Sequence, residues 1–115
     1  MKKLFLILLI GVPLFLTGCS REPSEYDTFA ACLTESGAKM YGTDWCPHCK
    51  DQKELFGSSF DKIDYINCEI KKSECQQAGV EGYPTWIFKD GSQVAGTQQL
   101  KVLADKTNCE LLLTN

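Results

Sequence analysis

Two cysteines separated by two residues are the first feature of this chain that could carry out chemistry. They are Cys46 and Cys49, with Pro47 and His48 between them and Trp45 before them, in the segment WCPHC. A pair with this spacing can form a redox-active disulfide, supply half of a zinc site, or serve as a structural crosslink. The surrounding sequence has to decide between these three uses.

A zinc site at this pair is disfavoured by the remaining residues. Structural zinc is usually bound by four ligands that come in two closely spaced pairs. The other candidates are Cys68 and Cys75, which six residues separate, and His48, which lies inside the first pair. We therefore predict no metal and no other cofactor. A metal-carrying or non-catalytic binding protein is the alternative from another functional class.

The predicted secondary structure around the pair favours redox chemistry. A predicted strand over 38–42 precedes it, and a predicted helix that ends at Gly57 follows, so Cys46 lies at the helix N-terminus. Free N–H groups and the helix dipole stabilise a thiolate there, and the thiolate is the reactive form. Cys49 is predicted to be the less exposed, resolving thiol. His48 is predicted to hydrogen-bond or pair with the Cys46 thiolate.

The other predicted elements would position this pair. Helices are predicted over 28–36, 71–79 and 100–107, a strand over 63–70, and a hairpin over 84–96. The order α, β, α, β, α, β, β, α fits an α/β domain with a mixed sheet of about four strands and helices on both sides. On the active helix, Cys49, Leu55 and Phe56 are predicted to share the buried face. A solvated face is predicted for Lys50, Asp51 and Lys53, and the alternative is that the two lysines add positive potential near Cys46.

The first 18 residues have the features of an export signal. Lys2 and Lys3 precede an apolar run over 4–16, which is shorter than the ~20 residues of a membrane-spanning helix. The segment LTGC (16–19) follows and resembles a bacterial lipobox, which implies removal of residues 1–18 and lipid modification of Cys19. An ordinary export signal or N-terminal anchor with an incidental Cys19 is the alternative.

The lipobox sets the predicted organisation and location of the chain. Residues 19–27 are predicted as the lipidated cysteine and a polar tether, and 28–113 as the folded domain. We expect it to lie in the cell envelope, lipid-anchored to a membrane and facing the extracytoplasmic, periplasmic side. Without residues 1–18, ten basic residues remain against fifteen acidic ones, a net charge of −5. This charge predicts no nucleic-acid partner.

A second segment, GYPTWIF (82–88), begins the predicted hairpin. A CxxC pair at a strand–helix junction combined with a later Tyr-Pro-Thr resembles the thioredoxin fold. The resemblance implies a cis peptide bond before Pro84 and a substrate groove lined by Tyr83 and Pro84. Trp45 is predicted to shield the active pair at the same groove. A trans proline that merely starts an edge strand is the alternative.

Shorter motifs make the resemblance narrower. They resemble the thioredoxin-like domain that is fused to bacterial and plant homologues of vitamin K epoxide reductase. The motifs are KMYG (39–42), WCPHC (45–49), QKELFG (52–57), INC (66–68) and GYPTW (82–86). The predicted sheet accordingly lacks the first thioredoxin strand, and the predicted catalytic residues are Cys46, Pro47, His48 and Cys49.

The lipobox stands where that family carries a multi-helix membrane domain. We therefore expect a stand-alone lipoprotein that exchanges electrons with a separate membrane redox partner. A vitamin K epoxide reductase-like or DsbB-like protein fits this role. The predicted clients are proteins with thiols or disulfides.

Six cysteines remain if Cys19 is lipidated, and an even number in an exported chain suggests disulfides. Cys68 and Cys75 are close in sequence and are predicted to form a structural disulfide, because the resembled family links the equivalent positions. Cys32 and Cys109 then remain for each other. The first and last helices usually lie on opposite faces of a thioredoxin sheet, so free thiols or a second electron-relay pair are the alternatives.

The direction of electron transfer is predicted from two residues. Thioredoxins place a buried Asp six residues before the first active cysteine, and this chain has Met40 there, so the usual proton path for Cys49 is missing. Together with His48, this favours a dithiol oxidant or isomerase over the alternative, a protein-disulfide reductase. The potential of the redox partner decides the direction.

Overall fold

The computed structural model describes residues 11–15, 18 and 23–112. Most of the predicted export signal, and the predicted lipidation site Cys19, lie outside the described residues. Within those ranges, no helix is long and apolar enough to cross a membrane. The helices are α1 (Asp27–Glu35), α2 (Pro47–Phe56), a 3₁₀ helix (Gly57–Lys62), α3 (Lys72–Gln77) and α4 (Leu100–Thr107). The strands are β1 (Lys39–Gly42), β2 (Tyr65–Asn67), β3 (Thr85–Ile87) and β4 (Gln93–Ala95).

The four strands form one mixed sheet in the order β2-β1-β3-β4. Strand β1 runs parallel to β2 and antiparallel to β3, and β3 and β4 form the predicted hairpin. Because β1 is central, its C-terminal end is held on both sides. The loop that follows it, which carries the cysteine pair, therefore starts from a fixed position. The predicted α/β architecture is confirmed, and within the described residues β1 is the first strand.

Side chains alternate between two cores, one on each face of the sheet. Met40 of β1 and Trp86 of β3 point to the larger core, where they pack with residues of α1, α2 and α4. Tyr41 and Ile66 point to the smaller core, which the Cys68–Cys75 disulfide completes. Three helices thus cover one face, and α3 contributes Cys75 to the other.

Helices α1 and α4 lie on the same face, which differs from the arrangement expected from thioredoxins. Phe29 and Leu33 of α1 share the larger core with Leu103 of α4. A disulfide joins Cys32 in α1 to Cys109, just beyond α4. The structure thus contains the predicted Cys32–Cys109 pair. The opposite-face arrangement that spoke against this pair is not found, because both helices pack in the same core.

Strand β2 is shorter than the sequence predicted. The 3₁₀ helix ends at Lys62, and the N–H of Ile63, the residue after it, donates to the carbonyl of Phe60 (3.0 Å), so the strand begins only at Tyr65. After Asn67 the chain turns, because its side chain accepts from the N–H of Glu69 (3.0 Å) and its carbonyl accepts from Lys71 (2.8 Å). An Asn side chain that bonds the backbone two residues on is a turn signal, which the alternating pattern concealed.

The predicted buried face of α2 needs one correction. Leu55 is 40% exposed, whereas Gln52 is fully buried with Cys49 and Phe56. Residues three and seven positions after Cys49 stay on its face of a 3.6-residue helix, and the residue six positions on lies about 120° away. Hydrophobicity suggested that Leu55 lies on the buried face of α2, but the helix geometry places Gln52 there.

Candidate active site

The cysteine pair caps the N-terminus of α2. Cys46 is the N-cap residue, with extended backbone angles (φ −71°, ψ 121°), and Pro47 occupies the first turn, where its missing N–H costs nothing. The Cys46 sulfur accepts a hydrogen bond from the N–H of Cys49 at 3.3 Å. Both cysteines are thiols in this structure. A thiolate at Cys46 would gain this hydrogen bond and the positive end of the helix dipole.

Cys49 lies behind Cys46 and is fully buried, while Cys46 is 5% exposed. Burial is the main cause that raises the pKa of the Cys49 thiol to about 12, and its hydrogen bond with Cys46 adds to the effect. A backbone hydrogen bond from Thr43 and the positive charge of Lys53 act in the opposite direction. The reduced pair therefore consists of an outer sulfur at the helix N-terminus and an inner, protonated thiol.

Gly42 makes room for the inner sulfur. A Cβ atom at this position would lie 2.8 Å from the Cys49 Sγ and 3.3 Å from Cε2 of Tyr65. Real Cβ atoms do not approach other atoms as closely as 2.8 Å, so only glycine lets β1 pass this close to the sulfur. The last residue of β1 thus sets the depth at which Cys49 lies.

The loop before β3 faces the cysteine pair. The Tyr83–Pro84 peptide bond is cis, and Pro84 is buried. The Cys46 thiol donates to the carbonyl oxygen of Tyr83 at 3.5 Å. Trp45 is 62% exposed, and its ring meets that of Tyr83 at a right angle, with centroids 6.4 Å apart. The structure therefore brings together the three residues of the predicted groove beside Cys46.

A cavity of about 280 Å³ adjoins this groove. It is lined by Thr43, Trp45, Tyr83 and the Cys68–Cys75 disulfide, among others. Both sulfurs of that disulfide belong to buried residues, 3% and 4% exposed. The disulfide is therefore a wall of the cavity and ties the end of β2 to α3.

The structure does not bring His48 to the Cys46 sulfur. The imidazole is exposed, and its Nδ1 lies 3.8 Å from a carboxylate oxygen of Asp51, one turn further along α2. The hydrogen bonds of the described residues include none between His48 and Cys46. The backbone carbonyl of His48 accepts from the hydroxyl of Thr97 at 2.9 Å, which attaches the first turn of α2 to the loop after β4.

Gln52 attaches the same helix at a second point. Its side-chain oxygen accepts from the indole N–H of Trp86 (3.0 Å) and from the N–H of Gln98 (2.7 Å), and its amide donates to the carbonyl of Gln98 (2.9 Å). Sequence reasoning missed this residue because a lone Gln in a polar helix carries no signal. Its position three residues after Cys49 and four before Phe56 could have indicated burial.

Lys53 is not part of a solvated face, contrary to the prediction. Its Nζ lies 3.4 Å from the Asp44 carboxylate, 4.4 Å from the centre of the Tyr65 ring and 5.5 Å from that of Phe60. The lysine side chain is only 29% exposed as a result. Asp44 also accepts from the Tyr65 hydroxyl at 3.2 Å. Sequence reasoning missed this cluster because its four members come from four separate segments.

Met40 occupies the larger core at the position where thioredoxins hold a buried Asp, and it is fully buried. The sulfur and methyl groups of Met40 cannot accept a proton from Cys49. In the described part of the chain, no group of three or more His, Cys, Asp or Glu side chains is placed to hold a metal ion.

Comparison with known proteins identifies the family. The thioredoxin family profile matches residues 27–108, and the chain belongs to the thioredoxin family. It is 39% identical over 113 residues to the thiol-disulfide oxidoreductase LTO1 of Arabidopsis thaliana, a match that covers 89% of this chain and 30% of that protein. It is 38% identical over 79 residues to the protein disulfide isomerase-like 2-1 of rice (Oryza sativa), covering 57% of this chain and 22% of the relative.

Among solved structures, a mutant thioredoxin from Halobacterium salinarum superposes with a TM-score of 0.52 at 23% identity, covering 68% of this chain and 76% of that one. This likeness supports the thioredoxin fold. The chain spans less than a third of the length of the two plant relatives.

Proposed function

We propose that this chain is a thiol–disulfide oxidoreductase in which Cys46 reacts with clients and Cys49 completes or reverses the exchange. The main support is the N-cap position of Cys46, whose sulfur accepts a hydrogen bond from the N–H of Cys49 at 3.3 Å. That hydrogen bond is strongest for a thiolate, which is the nucleophile and the better leaving group in exchange. The names of the plant relatives support the same chemistry.

In the oxidising direction, the enzyme begins with a disulfide between Cys46 and Cys49. A client thiolate attacks the Cys46 sulfur, the bond to Cys49 breaks, and Cys49 leaves as a thiolate that takes up a proton. The client's second thiolate then attacks the client's own sulfur in the mixed disulfide, the bond to Cys46 breaks, and Cys46 leaves as a thiolate. The client gains a disulfide and the enzyme is left as the dithiol, so two electrons pass from client to enzyme.

We further propose that the enzyme acts as a dithiol oxidant or isomerase. The N-cap position of Cys46 favours the reduced form by stabilising its thiolate, which makes the disulfide a better oxidant. Met40 removes the carboxylate that would help a reductase deprotonate Cys49. The placement of His48 against Asp51 gives no additional support, so the proposal depends on the first two features.

The proposal also includes a lipid anchor on Cys19, a location on the extracytoplasmic side of a membrane, and a separate membrane redox partner that reoxidises the pair. The support is the order of basic residues, apolar run and LTGC at the start of the sequence. The narrower resemblance to domains fused to vitamin K epoxide reductase homologues suggests that a protein of that type is the partner.

Trapping with Cys49→Ser tests the chemistry. This variant should accumulate mixed disulfides with clients through Cys46, visible as reducible high-mass bands on non-reducing gels. Cys46→Ser, which keeps the inner thiol, is the matched control and should trap none. An empty Cys49→Ser trap, under conditions where the wild-type protein oxidises or reduces a model peptide, would overturn the assignment of roles.

The reduction potential tests the direction. Equilibration with glutathione buffers should give a potential above about −220 mV, within the range of oxidants and isomerases. A value well below that would show a reductase.

Labelling with a radioactive fatty acid tests the anchor, since wild-type protein should incorporate the label and Cys19→Ser should not. Equal labelling, or none in either protein, would contradict the anchor.

A further inference from the structure

The inner thiol presents a problem that the proposed function leaves open. In either direction of exchange Cys49 passes through its thiolate, as the attacking group when the enzyme reduces and as the leaving group when it oxidises. Yet Cys49 is fully buried, and Met40, which belongs to the same core, carries no charge. Some other group has to stabilise the buried Cys49 thiolate so that it can form during the exchange.

Lys53 is the cation on the same helix face, one turn after Cys49. Residues four apart on a helix are neighbours on its surface. Two contacts hold the ammonium group on the side of the helix that faces β2: the Asp44 carboxylate at 3.4 Å and the Tyr65 ring at 4.4 Å. The Phe60 ring, at 5.5 Å, adds an apolar wall. Lys53 thus loses most of its solvent and keeps its charge close to the core.

The Tyr65 ring connects this cation to the sulfur. The single point that a Cβ of Gly42 would occupy lies 3.3 Å from the ring edge and 2.8 Å from the Cys49 sulfur. The sulfur therefore lies no further from this edge of the ring than the sum of those two distances, and the ammonium group lies over the ring 4.4 Å from its centre. Burial and the Asp44 charge raise the pKa of Tyr65 well above its usual value, so the ring stays neutral and adds no negative charge beside Cys49.

We propose that Lys53, held in place by Asp44 and the Tyr65 ring, is the positioning residue that stabilises the Cys49 thiolate during disulfide exchange. Met40 stands where a buried Asp would help Cys49 to lose its proton. Lys53 stabilises the Cys49 thiolate that results from this proton loss, but it does not accept the proton. In the reducing direction, Cys49 loses its proton to water and its thiolate attacks the Cys46 sulfur of the mixed disulfide. The bond to the client breaks, and the client leaves as a thiolate.

The other charged and titratable groups around Cys49 do not substitute for Lys53. Cys46 competes for the same negative charge, and Asp44 opposes it but is 66% exposed and hence screened by water. The backbone N–H of Thr43 favours the thiolate through a hydrogen bond and carries no net charge. Among these groups, Lys53 supplies the positive charge.

The test measures the ionisation of Cys49 directly. Only the meaning of that ionisation for disulfide exchange rests on the proposed function. In a Cys46→Ser background, alkylation of Cys49 is followed against pH, with the modified peptide located by mass spectrometry. Lys53→Met keeps an apolar chain of similar length but removes the charge. It should move the pH profile upwards by about half to one unit and slow alkylation at pH 8 about three- to tenfold.

Two further variants separate charge from structure. Lys53→Arg restores the charge and should return the profile close to that of the parent. Lys50→Met removes an exposed lysine of the same helix, with the same change in net charge, and should leave the profile unchanged. With Cys46 restored, Lys53→Met should also slow the release of a client from a preformed mixed disulfide by a similar factor.

An unshifted profile in Lys53→Met would overturn the inference, as would an equal shift in Lys50→Met or a failure of Lys53→Arg to restore the parent profile. These results are independent of the proposed function, because alkylation of the Cys46→Ser protein requires no client and no redox partner. If Cys49→Ser traps no clients while Lys53→Met still shifts the profile, only the proposed function fails.

Discussion

Among the glycines that the structure describes, Gly42 is the one at which an added methyl group would meet the shortest contact. It ends β1, beside the buried Cys49 sulfur. Its backbone does not have a positive φ, so alanine is allowed by the backbone and any cost of Gly42→Ala arises from contacts. The new Cβ would lie 2.8 Å from the Cys49 Sγ and 3.3 Å from the ring edge of Tyr65.

The size of the effect follows from those two contacts. A carbon and a sulfur atom at 2.8 Å overlap strongly, and neither neighbour can move freely because Cys49 lies in the core and Tyr65 is held by Asp44. Overpacking of this kind usually costs about 1–3 kcal/mol. We expect the free energy of unfolding of reduced Gly42→Ala to fall by that amount. We also expect Cys49 to move outwards and react faster with an alkylating reagent under native conditions.

Urea unfolding followed by tryptophan fluorescence measures the stability, and mass spectrometry locates the alkylated cysteine. Gly82→Ala is the matched control, because a Cβ there would meet no atom within 4 Å and the backbone again has no positive φ. It should change the free energy of unfolding by less than about 0.5 kcal/mol. Equal stability and equal Cys49 reactivity in Gly42→Ala and wild type would refute the close approach of β1 to the sulfur.

Two other predictions concern the buried side chains of α2. Gln52→Leu leaves the N–H groups of Trp86 and Gln98 without their acceptor and should lower the free energy of unfolding in urea by about 2–4 kcal/mol. The control Gln77→Leu, at an exposed position, should lower it far less. A similar loss in both variants would contradict the buried hydrogen bonds of Gln52. The pKa of Cys49 is raised to about 12 in the folded state from 9.0, so the folded state holds its proton more tightly than the unfolded chain. The resulting stabilisation is complete below pH 9 and is lost as the pH rises through 12, so reduced wild type should lose more stability than Cys49→Ala between about pH 8.5 and 10.5. If the free energy of unfolding fell equally with pH in the two proteins, the upward shift of the Cys49 pKa would be contradicted.

Local patterns were enough to predict most of the fold. Residues 100–107 have helical periodicity, and α4 covers the same range. The CxxC segment between a strand and a helix, and the later GYPTW, indicated a thioredoxin-like domain, and the family match agrees with it. These signals depend on residues near one another in the chain, so they can be recognised without knowing how the elements pack.

Local patterns were least reliable where a long-range contact or a turn competes with periodicity. The alternating segment 63–70 became a three-residue strand because Asn67 bonds the backbone of a turn. Leu55 was expected on the buried face but is exposed, and Gln52 is buried because Trp86 and Gln98 satisfy its amide. Neither partner is near Gln52 in sequence.

The sequence by itself thus determined that Cys46 lies at a helix N-terminus with Cys49 one turn behind it, because a proline, a helix and a glycine stop are local features. Only the tertiary structure decided what surrounds the inner sulfur. Lys53, Asp44 and Tyr65 come from a helix, a loop and a strand that meet only when β1 and β2 pair in parallel. The placement of α1 and α4 on one face, which brings Cys32 to Cys109, likewise depends on the packing of the whole domain.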